Sequence, residues 1–428
     1  MIDNEVNKKK KIPKSIFVVI LFFIFLFPAM IDLMNGFISA LTGNESSLGV
    51  IYRGCLLIVS IPFIFFITRS DLQLFLLFTC SLFIGLNFYW VVLDYYSLVR
   101  EIQQLLRILY PYFLLGMIIY LFKKRAELLQ TALSFLSYNG LFSSLAIVFS
   151  FLFGFGYETY EGIFGSTSFF KAQNDISLVI LLSNVINLYL YISYKNKKKL
   201  VLFGINFLAL LMIGTRAGIL GTVLTLIFFL IAFATFSKKE IKRSLIKRGL
   251  IISSSLLAFV SVGYYIYFNI FLQYKYLLDK MVLLTSQIPR DSLTTIASDR
   301  ILERGFLNNI FGEGYLSFSK HIAMQYSSKK DFSQYGKLVE QDLYDMVGAY
   351  GVVLGLIFIL VPVSFLVKST FNFIYKRTLL NFTILIMMLL FIFQSFLAGH
   401  AINSPTVSAV VIIMYFQILY HKEFYVTN

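Results

Sequence analysis

EQDLYDMVGAYGVVLGLIFILVPVSFLV, residues 340–367, passes from three carboxylates, Glu340, Asp342 and Asp345, into a stretch with no charged side chain. From Met346 to Val367, at 1.5 Å per helical residue, that stretch is long enough to cross a hydrocarbon core about 30 Å thick. Runs of the same kind recur along the 428-residue chain, in which 58% of residues are hydrophobic and only 14% charged. A water-soluble domain lacks the buried volume for so much apolar side chain and would be left with an apolar surface. The composition therefore reads as a polytopic membrane protein, all-α, because only helices satisfy their backbone groups within one apolar segment.

About twelve spans are expected, near 15–36, 48–68, 72–92, 104–122, 132–154, 175–194, 200–214, 217–236, 249–269, 346–367, 379–398 and 405–420. The net charge of +15 belongs to this topology and not to nucleic acid. Lysines and arginines gather at Lys8–Lys11, Lys123–Arg125, Lys195–Lys199, Lys238–Arg248 and Lys368–Arg377, all on one side if odd-numbered spans run outward. By the positive-inside bias, both termini are then cytoplasmic. The division is a basic N-terminus (1–14), spans one to nine (15–269), a large extracytoplasmic loop (270–345), three last spans (346–420) and a short tail (421–428). Cys55 and Cys80 both fall in apolar stretches and read as small packing residues, not as a disulfide or a metal site.

The loop between spans nine and ten is out of proportion to the others, and loops of that length are usually functional or disordered. Phe, Tyr and Leu occur throughout it, so it is expected to fold on the membrane domain. Ionisable residues within spans are costly and therefore candidates for function. Asp32, Arg53, Arg107 and Arg216 all fall in the outward half, Arg53 roughly 8 Å below the outer edge. Arginines there suit an anion, since a guanidinium grips phosphate oxygens bidentately and stays charged; each could instead snorkel to the headgroups as an anchor. The loop adds Arg290, Arg300 and Arg304. Asp342 and Asp345, three apart, share a helix face, and arginines are expected to offset them; helix capping is the plainer reading. His321 and His400 are the candidates for proton transfer besides the carboxylates.

Four local patterns, in order, resemble the O-antigen polymerase and ligase superfamily, the Wzy type. They are the outer loop Gly162–Asp175 with Phe170–Asn174; Gly214-Thr215-Arg216-Ala217-Gly218; Ser298-Asp299-Arg300 followed by Phe311-Gly312-Glu313-Gly314; and Glu340-Gln341-Asp342, Asp345, Tyr350-Gly351 and Gly355. The likeness covers about 150–415. Glu340-Gln341 stand where ligase-like members tend to carry His-Asn, which resembles the polymerase branch. The resemblance implies a GT-C-like glycosyltransferase at the outer face. Its substrates would be undecaprenyl-pyrophosphate-linked repeat units, one as donor and one as acceptor, with a chain-length regulator and a flippase as further partners.

In the chemistry so implied, an acceptor hydroxyl attacks the anomeric carbon of the donor and lipid pyrophosphate leaves. Arg216 and Arg300 are expected to stabilise the leaving group, and Glu340 to act as base with His321 in reserve. Arg53, Arg290, Arg107, Asp342, Asp345 and His400 are expected to bind substrate. No metal or cofactor is expected, because the arginines supply the charge, although Glu340 and Asp342 are spaced to hold a divalent ion. Two alternatives stay open: a ligase-type transferase and, from another class, a lipid-linked oligosaccharide flippase. A carrier would show charges at the midplane, repeat symmetry and short outer loops, and none of these is visible.

Overall fold

A computed structural model describes residues 13–44, 46–66, 70–93, 95–160, 164–236, 289–326 and 336–420. The expected ninth span, 249–269, the cationic segment 238–248 and the loop's first part lie outside the described residues. Among the described residues, six helices are long and apolar enough to cross a membrane, or seven when one bent pair is taken as a single span.

That bent pair is α1 (Lys14–Phe25) and α2 (Phe27–Thr42), which meet at 41° where one continuous span was expected. Pro28 is the physical cause: it lacks an N–H, and its ring crowds the carbonyl four residues back. Helix α3 (Leu48–Ser60) tightens into a 3-10 turn, Ile61–Phe66, around Pro62. There follow α4 (Ser70–Trp90), α5 (Leu98–Lys124) and α6 (Leu128–Phe153). The strands β1 (Tyr157–Tyr160) and β2 (Phe164–Ser168) then form an antiparallel hairpin, a small departure from the all-α expectation. It rests on α2 through the Tyr157 hydroxyl, which donates to the Gly36 carbonyl at 3.0 Å.

Helices α7 (Gln173–Tyr194), α8 (Lys197–Ile213) and α9 (Arg216–Phe236) follow. Within the expected loop lie three shorter helices, α10 (Pro289–Glu303), α11 (Phe306–Phe311) and α12 (Tyr315–Tyr326). They pack chiefly on one another, on α5 and on α13 (Asp342–Tyr375). Helix α13 begins at Asp342, so Asp342 and Asp345 belong to the helix and not to the loop. It is broken at Gly351, whose φ of 71° no helix interior adopts. The chain closes with α14 (Leu379–Leu397) and α15 (Pro405–Tyr420).

The centre of the bundle is α5, α7 and α15, buried along most of their lengths. Tyr415 of α15 is stacked between Tyr112 and Phe365, with centroids at 5.6 and 3.9 Å. One apolar face of α4 instead points outward, with Leu74, Leu77, Phe78, Ile84 and Phe88 exposed at helical spacing, while Leu76, Phe83 and Trp90 are buried on the other. A helix apolar on its outer face is a helix against lipid.

Candidate functional site

At one end of the bundle, α2, α3, α5, α7 and α15 surround a cavity of about 650 Å³. Non-helical stretches complete its wall, among them residues 170–172 before α7, one ending at Glu340 before α13 and one running from His400 to Asn403 before α15. Its lining is charged: Asp32, Arg53, Arg107, Lys171, Asp175, Glu340 and His400.

These charges are arranged unequally. A single Nη of Arg53 reaches both oxygens of Asp32 at 2.6 Å and the Thr406 hydroxyl at 3.0 Å. Thr406 donates in turn to Asp32 at 2.9 Å. This partly buried triad ties α2, α3 and α15 together, and its guanidinium charge is neutralised in place. Asp175, in the first turn of α7 and so near a positive helix end, accepts from the Ser404 hydroxyl at 2.5 Å. Ser404 also caps α15, accepting from the Val407 N–H at 3.3 Å, with Pro405 at the first helical position. Arg107 and Lys171 differ. Both are exposed in the cavity wall, and among the described residues neither has a carboxylate within 4 Å.

Glu340 and His400 face the same cavity from residues with positive φ, 66° and 60°. Non-glycine residues there are strained by about 1–3 kcal/mol and persist only where surrounding contacts hold them. The contacts are on hand. Gly399, at φ 65°, presses against the Glu340 main chain so closely that a Cβ would stand 2.3 Å from its carbonyl carbon. Asp342 accepts from the Ala401 and Ile402 N–H groups at 3.0 Å each, and Asp345 from the Val339 N–H at 2.8 Å. The expectation that arginines offset these two carboxylates is therefore corrected: main-chain N–H groups do so. Both are buried behind the cavity wall and neither lines it. Their geometry is that of braces for the loops carrying Glu340 and His400. Burial pushes the His400 imidazole pKa down, but Asp175, Asp345, Asp342 and Glu340 around it outweigh burial and raise it.

Of the expected site residues, Arg53, Arg107, Glu340 and His400 converge here. Arg300 and His321 do not. Arg300 is engaged bidentately with the buried Glu313, its Nε at 3.1 Å. His321 lies in the field of that pair, its pKa lowered by burial and then by Arg300. Arg304 is a staple, donating to the Gly348 and Val347 carbonyls at 2.6 and 2.9 Å. The side chains of Arg216 and Arg290 lie outside the described residues. The backbone of Arg216 opens α9 beside the first turn of α7, where the Thr215 and Ser177 hydroxyls are 3.0 Å apart.

Sequence reasoning did not single out Asp175 or Ser404. A carboxylate at the entrance of an apolar span, the signal that drew attention to Asp342, also marks Asp175; Ser404-Pro405 is a helix-start pattern. Glu101 was also missed. Buried on α5, it accepts from the N–H groups of Tyr315 and Leu316 at 3.0 and 2.9 Å, capping α12 from a membrane helix.

Fold and site together define a polytopic membrane protein with a charge-lined cavity at one end of its helix bundle. Residues 14–278 match the model of the O-antigen ligase like membrane protein family, more than half of the chain, and the chain belongs to that family. Membership points to a membrane enzyme in the assembly of O-antigen or related polysaccharide. The matched segment holds Asp32, Arg53, Arg107, Lys171 and Asp175, and ends before Glu340 and His400. No curated protein matches the chain.

Proposed function

We propose that the cavity transfers a glycan from one lipid-linked diphosphate carrier to a repeat unit on another, the reaction of a polysaccharide polymerase, at the outer face of the cytoplasmic membrane. An acceptor hydroxyl oxygen forms the new bond to the donor's anomeric carbon as the bond from that carbon to the diphosphate oxygen breaks. The hydroxyl proton passes to Glu340, and the lipid diphosphate leaves with the bonding electrons. The observation that carries this reading is the pair Arg107 and Lys171, cations with no carboxylate within 4 Å among the described residues, in the same cavity as a carboxylate held at positive φ. Preorganised cations at the developing charge are the largest catalytic contribution such a site offers. Arg53, already paired with Asp32, shapes the wall. Arg216 retains its expected place at the leaving group, while Arg300 is committed to Glu313.

A second reading, ligase-type transfer to an acceptor that is not a carrier-linked repeat unit, is equally compatible with the family match. Purified protein in nanodiscs with a synthetic lipid-diphosphate repeat unit as sole substrate separates the two. A ladder of longer lipid-linked glycans is expected. Product formed only when a different acceptor is added would replace the polymerase by the ligase. No product with either, from protein that binds the carrier, would send the reading to a flippase.

A further inference from the structure

Where α10 turns into α11, the side chains facing outward change character. Along α10 the exposed positions Ser292, Thr295 and Asp299 are polar, yet at the corner, flanking the exposed Glu303, Leu302 is 79% exposed, Phe306 76% and Leu307 55%. Three large apolar side chains held open side by side on a structured segment mark a surface with a partner.

The position of the corner identifies that partner. Helix α11 is fastened to the last turn of a membrane span: Tyr89 of α4 donates its hydroxyl to Asn308, and its ring meets that of Phe311 at 6.1 Å. On α4 the apolar outer stripe runs through Phe88, 77% exposed, to Val92, 76% exposed, just past the helix end. The other end of α11 is pinned at the same level of a second span. A Cβ on Gly312 would lie 2.6 Å from the Gly351 nitrogen, the break in α13, and Gly314 donates its N–H to the Ala349 carbonyl at 2.9 Å. Beyond that break α13 continues as apolar helix, beginning with the exposed Val352 and Val353. Two spans thus set the corner at the depth where their lipid-facing surfaces end. Tyr89 and Phe311 at the junction fit the aromatic belt of a membrane boundary.

We propose that Leu302, Phe306 and Leu307 are seated in the acyl-chain border of the lipid leaflet, so that the α10–α11 corner is an interfacial membrane anchor and not a surface in water. The apolar area gained from lipid holds α10–α12 down on the bundle. This placement does not depend on the transfer reaction proposed above.

The experiment uses the full chain in nanodiscs, with Cys55 and Cys80 replaced by Ala and one nitroxide label placed at a time. Labels at positions 302, 306 and 307 are compared with Leu77 on the outer face of α4 and with Thr295 on the polar face of α10. Collision with oxygen, which partitions into lipid, and with a water-soluble nickel chelate is read for each. The corner positions are expected to resemble Leu77, with an oxygen-to-nickel ratio several-fold above that at Thr295. A ratio like that of Thr295 would place the corner in water and overturn the proposal. Protection from both reagents would mean that protein covers it, and would overturn it equally.

Discussion

Arg107 and Arg53 both line the cavity, and what separates them is the partner. Arg53 lies 2.6 Å from Asp32, whereas Arg107, like Lys171, has no carboxylate within 4 Å among the described residues. Only a cation not already neutralised has its full field to offer an incoming diphosphate. Arg107→Ala and Lys171→Ala are each expected to slow glycan transfer on the order of 100-fold, measured as single-turnover rates with saturating carrier. Arg107→Lys should recover only part of the loss, because one ammonium cannot form the guanidinium's paired hydrogen bonds. Glu340→Gln is expected to abolish turnover while leaving carrier binding intact, checked by titration against the same nanodiscs. His400 makes a pH prediction. Its pKa in the folded protein is raised by the surrounding carboxylates, so its contribution to stability is complete below the unfolded value near 6.5. That contribution is lost as pH rises through the folded value. Thermal unfolding across pH 5 to 9 should show a fall on the alkaline side that His400→Gln flattens.

Among the elements, the broken helix α13 and the cap on α12 hold the site's framework. Gly351 adopts φ 71°, and a Cβ there would stand 2.3 Å from the Ile310 carbonyl oxygen. Gly351→Ala therefore meets both backbone strain and a main-chain clash, and should lower stability by about 1–3 kcal/mol or more, read as a fall in Tm in detergent. Glu101→Gln keeps the shape but removes the charge that faces the N-terminus of α12. A loss of about 1 kcal/mol is expected, visible as faster amide exchange at Tyr315 and Leu316. Some of this element-scale structure was legible in the sequence. Apolar length marks α4, α6, α7 and α14 within a few residues and α5 all but its first six, whereas the bend between α1 and α2 at Pro28 was expected as one continuous span. The hairpin Tyr157–Ser168 was read as a loop, because its strands are only four and five residues long and their pairing partner is one another. The bracing role of Asp342 was hidden for a different reason: its acceptor sites are filled by N–H groups 59 and 60 residues further on.

For the whole molecule, the basic runs carry an expectation of orientation, both termini cytoplasmic and the cavity outside. A single cysteine at Lys171, in a cysteine-free background, should then react with a membrane-impermeant maleimide added to intact spheroplasts, and one at Lys197 only after lysis. The reverse pattern would turn the molecule over and place the cavity on the cytoplasmic side. By itself the sequence determined the solvent of this protein. Apolar runs without charge leave the backbone no option but helices in lipid, and that requirement is local, set by each segment's own side chains. Which charges act, and which merely hold the fold, was decided only by the tertiary structure. Electrostatic and hydrogen-bond energies depend on distance in space and not along the chain. Arg53 thus meets Thr406 across 353 positions, Arg300 meets Glu313 across 13, and Arg107, Lys171, Glu340 and His400 share one cavity wall.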